Sequence, residues 1–161
     1  MTTQAKILIV DDEEVVRLSY MRILATSNCE VKAAWTWVQV AQAMRHEPFD
    51  VVLLDLRMPD MDGMKVLRAL KQSWPESEVI IITGYPTLES AKEAVSLGAY
   101  DYLTKPIGPE QVITAANAAM LHKRWALHNA VDSRSEPSRQ QSSPEVPGRA
   151  SDKPDFLRKS S

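Results

Sequence analysis

A single cysteine, Cys29, excludes an intrachain disulfide. It lies in a strand-like segment, where a small core residue is the expected role. No apolar run approaches the roughly 20 residues needed to cross a bilayer, so no membrane partner is expected. The opening Met1–Lys6 leads straight into a strand-like run and lacks the layout of a signal peptide, which makes a cytoplasmic location the expectation. Charge of one sign is also missing: the formal net charge is −2, and no basic face for direct contact with nucleic acid is expected. His46, His122 and His128 lack metal-ligand spacing and are expected to be solvated. Trp35, Trp37, Trp74 and Trp125 form no constellation, and most are expected to be packing residues. There are no internal repeats.

What is present divides the chain in two. Residues 132–161 hold eight serines and four prolines with mixed charges, and Phe156-Leu157 is their one bulky apolar pair. Such a segment buries too little surface to offset its ordering entropy. The expected organisation is one folded domain over 1–130 and a disordered Ser/Pro-rich tail over 131–161. A short docking motif around Asp155–Lys159 is the alternative for the tail.

Within the first 130 residues, three four-residue runs stand out: Ile7–Val10, Val51–Leu54 and Val79–Ile82. They are branched and apolar on both faces, the pattern of parallel strands covered from both sides. Cys29–Ala33 and Tyr100–Thr104 alternate polar with apolar, as edge strands do. Helical spacing fills the gaps. Val16, Tyr20, Ile23 and Leu24 share one face, as do Leu88, Ala91 and Val95. Segments 36–46 and 64–73 are helix-compatible. Pro109 suits the first turn of a last helix, with Ile113, Ala116 and Met120 inward. The order βαβαβαβαβα implies an α/β, doubly wound, five-stranded parallel sheet with strand order 2-1-3-4-5.

Polar residues follow the apolar runs: Asp11 and Asp12 after the first, Asp55 after the third strand, Thr83 after the fourth and Lys105 after the fifth. A parallel sheet brings all these strand ends to one rim, where ligands bind. Taken singly, each has an ordinary explanation as a helix-start acid, a turn residue or a surface lysine. Together they place three carboxylates, a hydroxyl and an ammonium in one spot. Carboxylates so close stay ionised when a hard cation sits among them, and Mg2+ suits oxygen ligands. A carboxylate beside such an ion is a nucleophile for phosphoryl transfer, and the expected product is an acyl phosphate on Asp55.

These segments resemble the receiver domain of bacterial response regulators over roughly residues 5–127. The matching pieces are Ile7–Glu13, Asp55–Gly63, Ile82–Tyr85 and Gly98–Pro106. The stretch from Thr83 to Pro106 is most similar to receivers of enhancer-binding transcription activators. The resemblance implies a CheY-like, flavodoxin-like fold of five βα units. Asp55 would be the phosphorylation site. Asp12, Asp55 and the Arg57 backbone carbonyl would bind Mg2+ directly, and Asp11 mainly through water. Thr83 and Lys105 would contact the phosphoryl group. The Lys105-Pro106 bond would be cis, Tyr102 would be the switch aromatic, and the face of the fourth helix, fifth strand and fifth helix would change on phosphorylation. Partners implied are a sensor histidine kinase or histidine phosphotransfer protein and a downstream protein target.

On this reading the chain is a signalling switch and not an enzyme in the usual sense. An aspartyl phosphatase would carry Asp-x-Asp after its first strand, where this chain has Asp11-Asp12-Glu13-Glu14. A scaffold that works without phosphorylation is the third class. A stand-alone regulator, a phosphorelay intermediate and a piece of a larger activator all fit the pattern. Arg57 and Tyr85 are expected to overhang the site and hinder attacking water. The last helix is expected to reach about Asn129. There Leu121, Trp125 and Leu127 offer a homodimer stripe, and the alternative is a solvated end carrying His122-Lys123-Arg124.

Overall fold

The structure is a computed structural model and describes residues 4–135. Its elements run β1 (Ala5–Val10), α1 (Glu14–Ala25), β2 (Cys29–Ala34), α2 (Trp37–His46), β3 (Val51–Leu54), β4 (Arg57–Met58), β5 (Met61–Asp62), α3 (Gly63–Ser73), β6 (Glu78–Thr83), α4 (Leu88–Ser96), β7 (Asp101–Thr104) and α5 (Pro109–Ser135). Five strands form a parallel sheet in the order β2-β1-β3-β6-β7. Setting aside the two-residue ribbon β4-β5, this is the expected 2-1-3-4-5 order.

The continuous apolar runs are explained by burial on both faces. Ile7, Ile9, Val51, Leu53, Ile80 and Ile82 point to the side covered by α1 and α5, against Tyr20, Leu24, Val112 and Ala116. Their neighbours Leu8, Val10, Val52, Leu54, Val79 and Ile81 point the other way, onto Val40 and Met44 of α2 and Val66, Leu67 and Leu70 of α3. Helices α2 and α3 start on capping side chains. Thr36 accepts from Gln39 N–H, and Asp62 from Met64 N–H.

Several expectations change. In α5 the most buried residues are Val112, Ala115, Ala116 and Ala119, while Ile113 and Met120 lie at the margin. In α4 the buried residue is Ala94, and Leu88 and Val95 are 72% and 66% exposed. Helical period identifies a stripe but does not say which stripe meets the sheet; a narrow edge contact takes the small residue. Trp35, Trp37 and Trp125 are exposed, and Trp74 alone of the four packs against the core. Trp35 covers the Arg17 guanidinium, 4.4 Å from its ring centre, instead of filling the interior.

The last helix runs past Asn129 to Ser135. His122 is not simply solvated. It pairs with Glu78 at 3.1 Å, and Lys123 pairs with Asp50 at 2.7 Å. Glu78 opens β6 and Asp50 precedes β3, so these carboxylates meet α5 at the strands' N-terminal edge. The expectations for the tail beyond Ser135 lie outside the described residues. No described helix is long and apolar enough to cross a membrane.

Candidate functional site

The rim is built by ladder hydrogen bonds that run one step past the strands. Asp55 N–H donates to Val10 O at 2.9 Å, Asp11 N–H to Ala34 O at 3.3 Å, and Lys105 N–H to Thr83 O at 2.8 Å. Each bond sets the height of a functional residue above its neighbour strand. Asp11, Asp55 and Thr83 are buried, whereas Asp12 is exposed. Lys105 Nζ lies 3.0 Å from Asp11 Oδ2 and 3.3 Å from Asp55 Oδ2. The Lys105-Pro106 peptide bond is cis.

Carboxylate oxygens of Asp11, Asp12 and Asp55 lie within 4.8 Å of one another. Three acids at that spacing, with an all-oxygen donor set and one of them exposed, fit a hard divalent cation such as Mg2+. Local bonds fix two of them: Asp11 Oδ1 accepts from Glu13 N–H at 2.9 Å, and Asp55 Oδ1 accepts from Arg57 N–H at 3.2 Å. Thr83 Oγ1 accepts from Tyr85 N–H at 3.1 Å, which leaves its own proton to donate.

Electrostatics oppose each other here. Burial pushes the Asp55 carboxyl above its ordinary pKa, against the pull of the Lys105 charge. Burial also disfavours the Lys105 ammonium, but the hydrogen bond to Asp11 and the charges of Asp11 and Asp55 outweigh it and raise its pKa. The ammonium therefore stays charged and holds two carboxylates ready for a second cation.

Three residues have roles beside the site that sequence spacing does not assign. Arg17 Nη1 donates to Asp11 O at 2.8 Å, bracing the first acidic turn. Tyr20 is buried on α1, and its phenol is raised in pKa first by burial; the charges of Lys105, Asp11 and Asp55 also act on it. Gly63 is packed so tightly that an added Cβ would sit 2.5 Å from Leu56 Cα and 2.8 Å from Asp55 O. The ribbon β4-β5, paired Arg57 to Asp62 and Met58 to Met61, turns the chain back so that α3 starts beneath Asp55.

A cavity of about 740 Å³ opens beside the acids, lined by Asp12, Glu13, Arg57, Asp60 and Tyr85 among others. The Arg57 guanidinium lies over the Tyr85 ring, 4.3 Å from its centre. Arg57 on β4 and Tyr85 after β6 thus meet at the cavity wall. Tyr102, half-buried on β7, places its hydroxyl 2.7 Å from Ser90 Oγ.

Fold and site define a flavodoxin-like α/β protein with an acidic pocket at the strand C-termini. The family model described as the response regulator receiver domain matches residues 7–117. The chain belongs to that family. It is similar to the DNA-binding transcriptional regulator NtrC of Proteus hauseri, 33% identical over 121 residues, covering 75% of this chain and 26% of the relative. It thus spans about a quarter of that relative's length. The CheY-like receiver domain protein of Methanospirillum hungatei JF-1 superposes with TM-score 0.74 at 28% identity, covering 77% of this chain and 99% of the other. The beryllofluoride-activated NtrC4 receiver domain dimer superposes with TM-score 0.70 at 32% identity, covering 73% and 98%.

Proposed function

We propose that this receiver domain takes a phosphoryl group onto Asp55 from a phosphohistidine of a sensor kinase or phosphotransfer protein. The observation that carries the reading is Lys105 Nζ within 3.0 and 3.3 Å of Asp11 and Asp55, three residues that follow three different strands and meet at one rim. An Asp55 carboxylate oxygen attacks phosphorus as the phosphorus–nitrogen bond breaks, and the leaving imidazole takes up a proton. The product is an acyl phosphate, which water returns to carboxylate and phosphate. Lys105 neutralises charge on the transferring oxygens. Thr83 donates its hydroxyl to one of them. Asp11, Asp12 and Asp55, with the Arg57 carbonyl, would hold Mg2+, which supplies charge neutralisation on the phosphoryl oxygens when bound.

The output is a switch at the face of α4, β7 and α5. Moving a 1:99 equilibrium to 99:1 takes roughly 5.5 kcal/mol of differential stabilisation. Several charge-assisted hydrogen bonds to a phosphoryl group are of that order. On this reading the chain is a cytoplasmic signalling switch and not an enzyme, and its target is a downstream protein. A homodimer is part of the proposal. Leu121, Trp125 and Leu127 are exposed along α5, and the similar NtrC4 receiver is described as a dimer.

Incubation with acetyl phosphate and Mg2+, followed by intact mass, tests the reading. One stable phosphoryl group on the wild type, absent from Asp55→Asn, is expected. Turnover without a trapped phosphate points to a phosphatase, and no modification points to a scaffold; either refutes the proposal.

A further inference from the structure

Ser90 Oγ is the most heavily used hydroxyl on the switch face. It lies 2.8 Å from Thr87 Oγ1, 3.3 Å from Thr87 N, 3.1 Å from Thr87 O and 2.7 Å from Tyr102 Oη. Ser90 N–H in turn donates to Thr87 Oγ1 at 3.0 Å, closing a capping box at the start of α4. One hydroxyl has one proton and two acceptor sites. Four contacts exceed that capacity, so they compete, and the Tyr102 contact, in which either hydroxyl can donate, is the shortest of them. The box holds α4 to itself; among the described residues the Tyr102 contact is the side-chain hydrogen bond that ties its first turn to β7.

In that half of the helix Ser90 and Ala91 are half-buried and no side chain is fully buried. Its buried residue is Ala94, toward the C-terminal end, while Leu88 and Val95 face outward. Tyr102 is also placed to sense Thr83. Ile81 pairs with Tyr102 and Thr83 with Thr104, so by strand alternation Thr83 and Tyr102 share a sheet face. Tyr102 packs on the cluster that contains Ile81 and Ala94. A Thr83 hydroxyl drawn to a phosphoryl group changes packing on the face that carries the Tyr102 ring.

We propose that Ser90 is a positioning residue that pins the first half of α4 to the sheet edge through the Tyr102 hydroxyl, and that phosphorylation of Asp55 frees this half by breaking the bond. The second clause rests on the proposed function; the first does not. With Asp55 a free carboxylate, the pin is made. Once the ring moves, Ser90 keeps its box but loses its link to β7, and the first half of α4 is released while the buried Ala94 stays in place.

The test is amide hydrogen exchange across α4 in the full chain, free and with beryllofluoride plus Mg2+, for wild type, Tyr102→Phe, Ser90→Ala, Thr87→Ala and the doubles Tyr102→Phe/Ser90→Ala and Tyr102→Phe/Thr87→Ala. In the free chain Tyr102→Phe removes one hydroxyl and leaves the box intact. It is expected to raise exchange in the first half of α4 by about fivefold, the factor for one net hydrogen bond. In the Ser90→Ala background it is expected to add nothing. In the Thr87→Ala background, where the pin survives, it keeps its effect. Loading is expected to bring wild type to the Tyr102→Phe level. Wild-type exchange in Tyr102→Phe, or additive effects in the double variant, overturns the pin. Full protection of α4 in loaded wild type overturns its release. Failure to load, read separately by acetyl phosphate and intact mass, refutes the receiver chemistry and its release step, and the free-chain comparison still decides the pin.

Discussion

Cutting the Arg57–Tyr85 stack is expected to shorten the life of the acyl phosphate. The guanidinium sits 4.3 Å from the ring centre, and the two residues lie two positions past Asp55 and Thr83, Arg57 on β4 and Tyr85 in the loop after β6. Together they line the cavity that opens beside Asp12. Tyr85 is 64% exposed, so the contact belongs to the solvated end of the cation–π range, about 0.5–1 kcal/mol. If water enters only when the stack opens, losing it speeds hydrolysis by the corresponding factor, about two- to fivefold. The hydrogen bond from Arg57 N–H to Asp55 Oδ1 is backbone and survives in Arg57→Ala. The assay is the decay of phosphorylated chain after removal of the donor, followed by intact mass. Arg57→Ala, Tyr85→Ala and the double variant are expected to decay alike, because either single change already removes the whole contact. Unchanged rates in both single variants, or a double variant faster by the product of the two factors, refute the gate.

Three other perturbations test separate parts of the account. Lys105→Met is expected to slow acyl-phosphate formation from acetyl phosphate by about 10²–10³, the scale for losing one preorganised charge donor; a change of less than tenfold contradicts its role. Gly63→Ala drives a methyl against the Leu56 and Asp55 backbone. It is expected to lower unfolding stability by ~1–3 kcal/mol and to slow loading as well, both readable by urea titration and mass. Glu47 is held at a pKa of about 2 by hydrogen bonds from Lys32 and Lys6, below its ordinary 4.5. A carboxyl depressed by folding contributes stability that is full above 4.5 and is lost as pH falls toward 2. Thermal midpoints of Glu47→Gln are therefore expected to lie below wild type at neutral pH and to converge with it over that window; parallel curves contradict the assignment.

The sheet was legible because its central strands have no solvent face. Ile7–Val10, Val51–Leu54 and Val79–Ile82 are apolar at every position, and that pattern alone fixed three strands, their place inside and the rim they share. Once the rim was known, Asp11, Asp12, Asp55, Thr83 and Lys105 had to meet. Contacts that depend on side-chain reach were not legible. Nothing in sequence spacing pairs Arg17 with Asp11, Ser90 with Tyr102, or His122 with Glu78, because each joins elements whose rotation is set by packing. The two-residue ribbon after Asp55 is too short to carry any periodicity. The exposed faces of α4 and the tryptophans were misjudged for a common reason: apolar character marks what could be buried, and the neighbour decides what is.

The central claim is chemical, and borohydride trapping tests it most directly. Hydride reduces an aspartyl phosphate to homoserine with release of phosphate, and peptide mapping then locates the altered residue. Chain loaded with acetyl phosphate and Mg2+ is expected to yield homoserine at position 55 alone, and none when Mg2+ is chelated. Homoserine elsewhere, or a phosphorylated chain that gives none, contradicts the assignment of Asp55 as the phosphoacceptor.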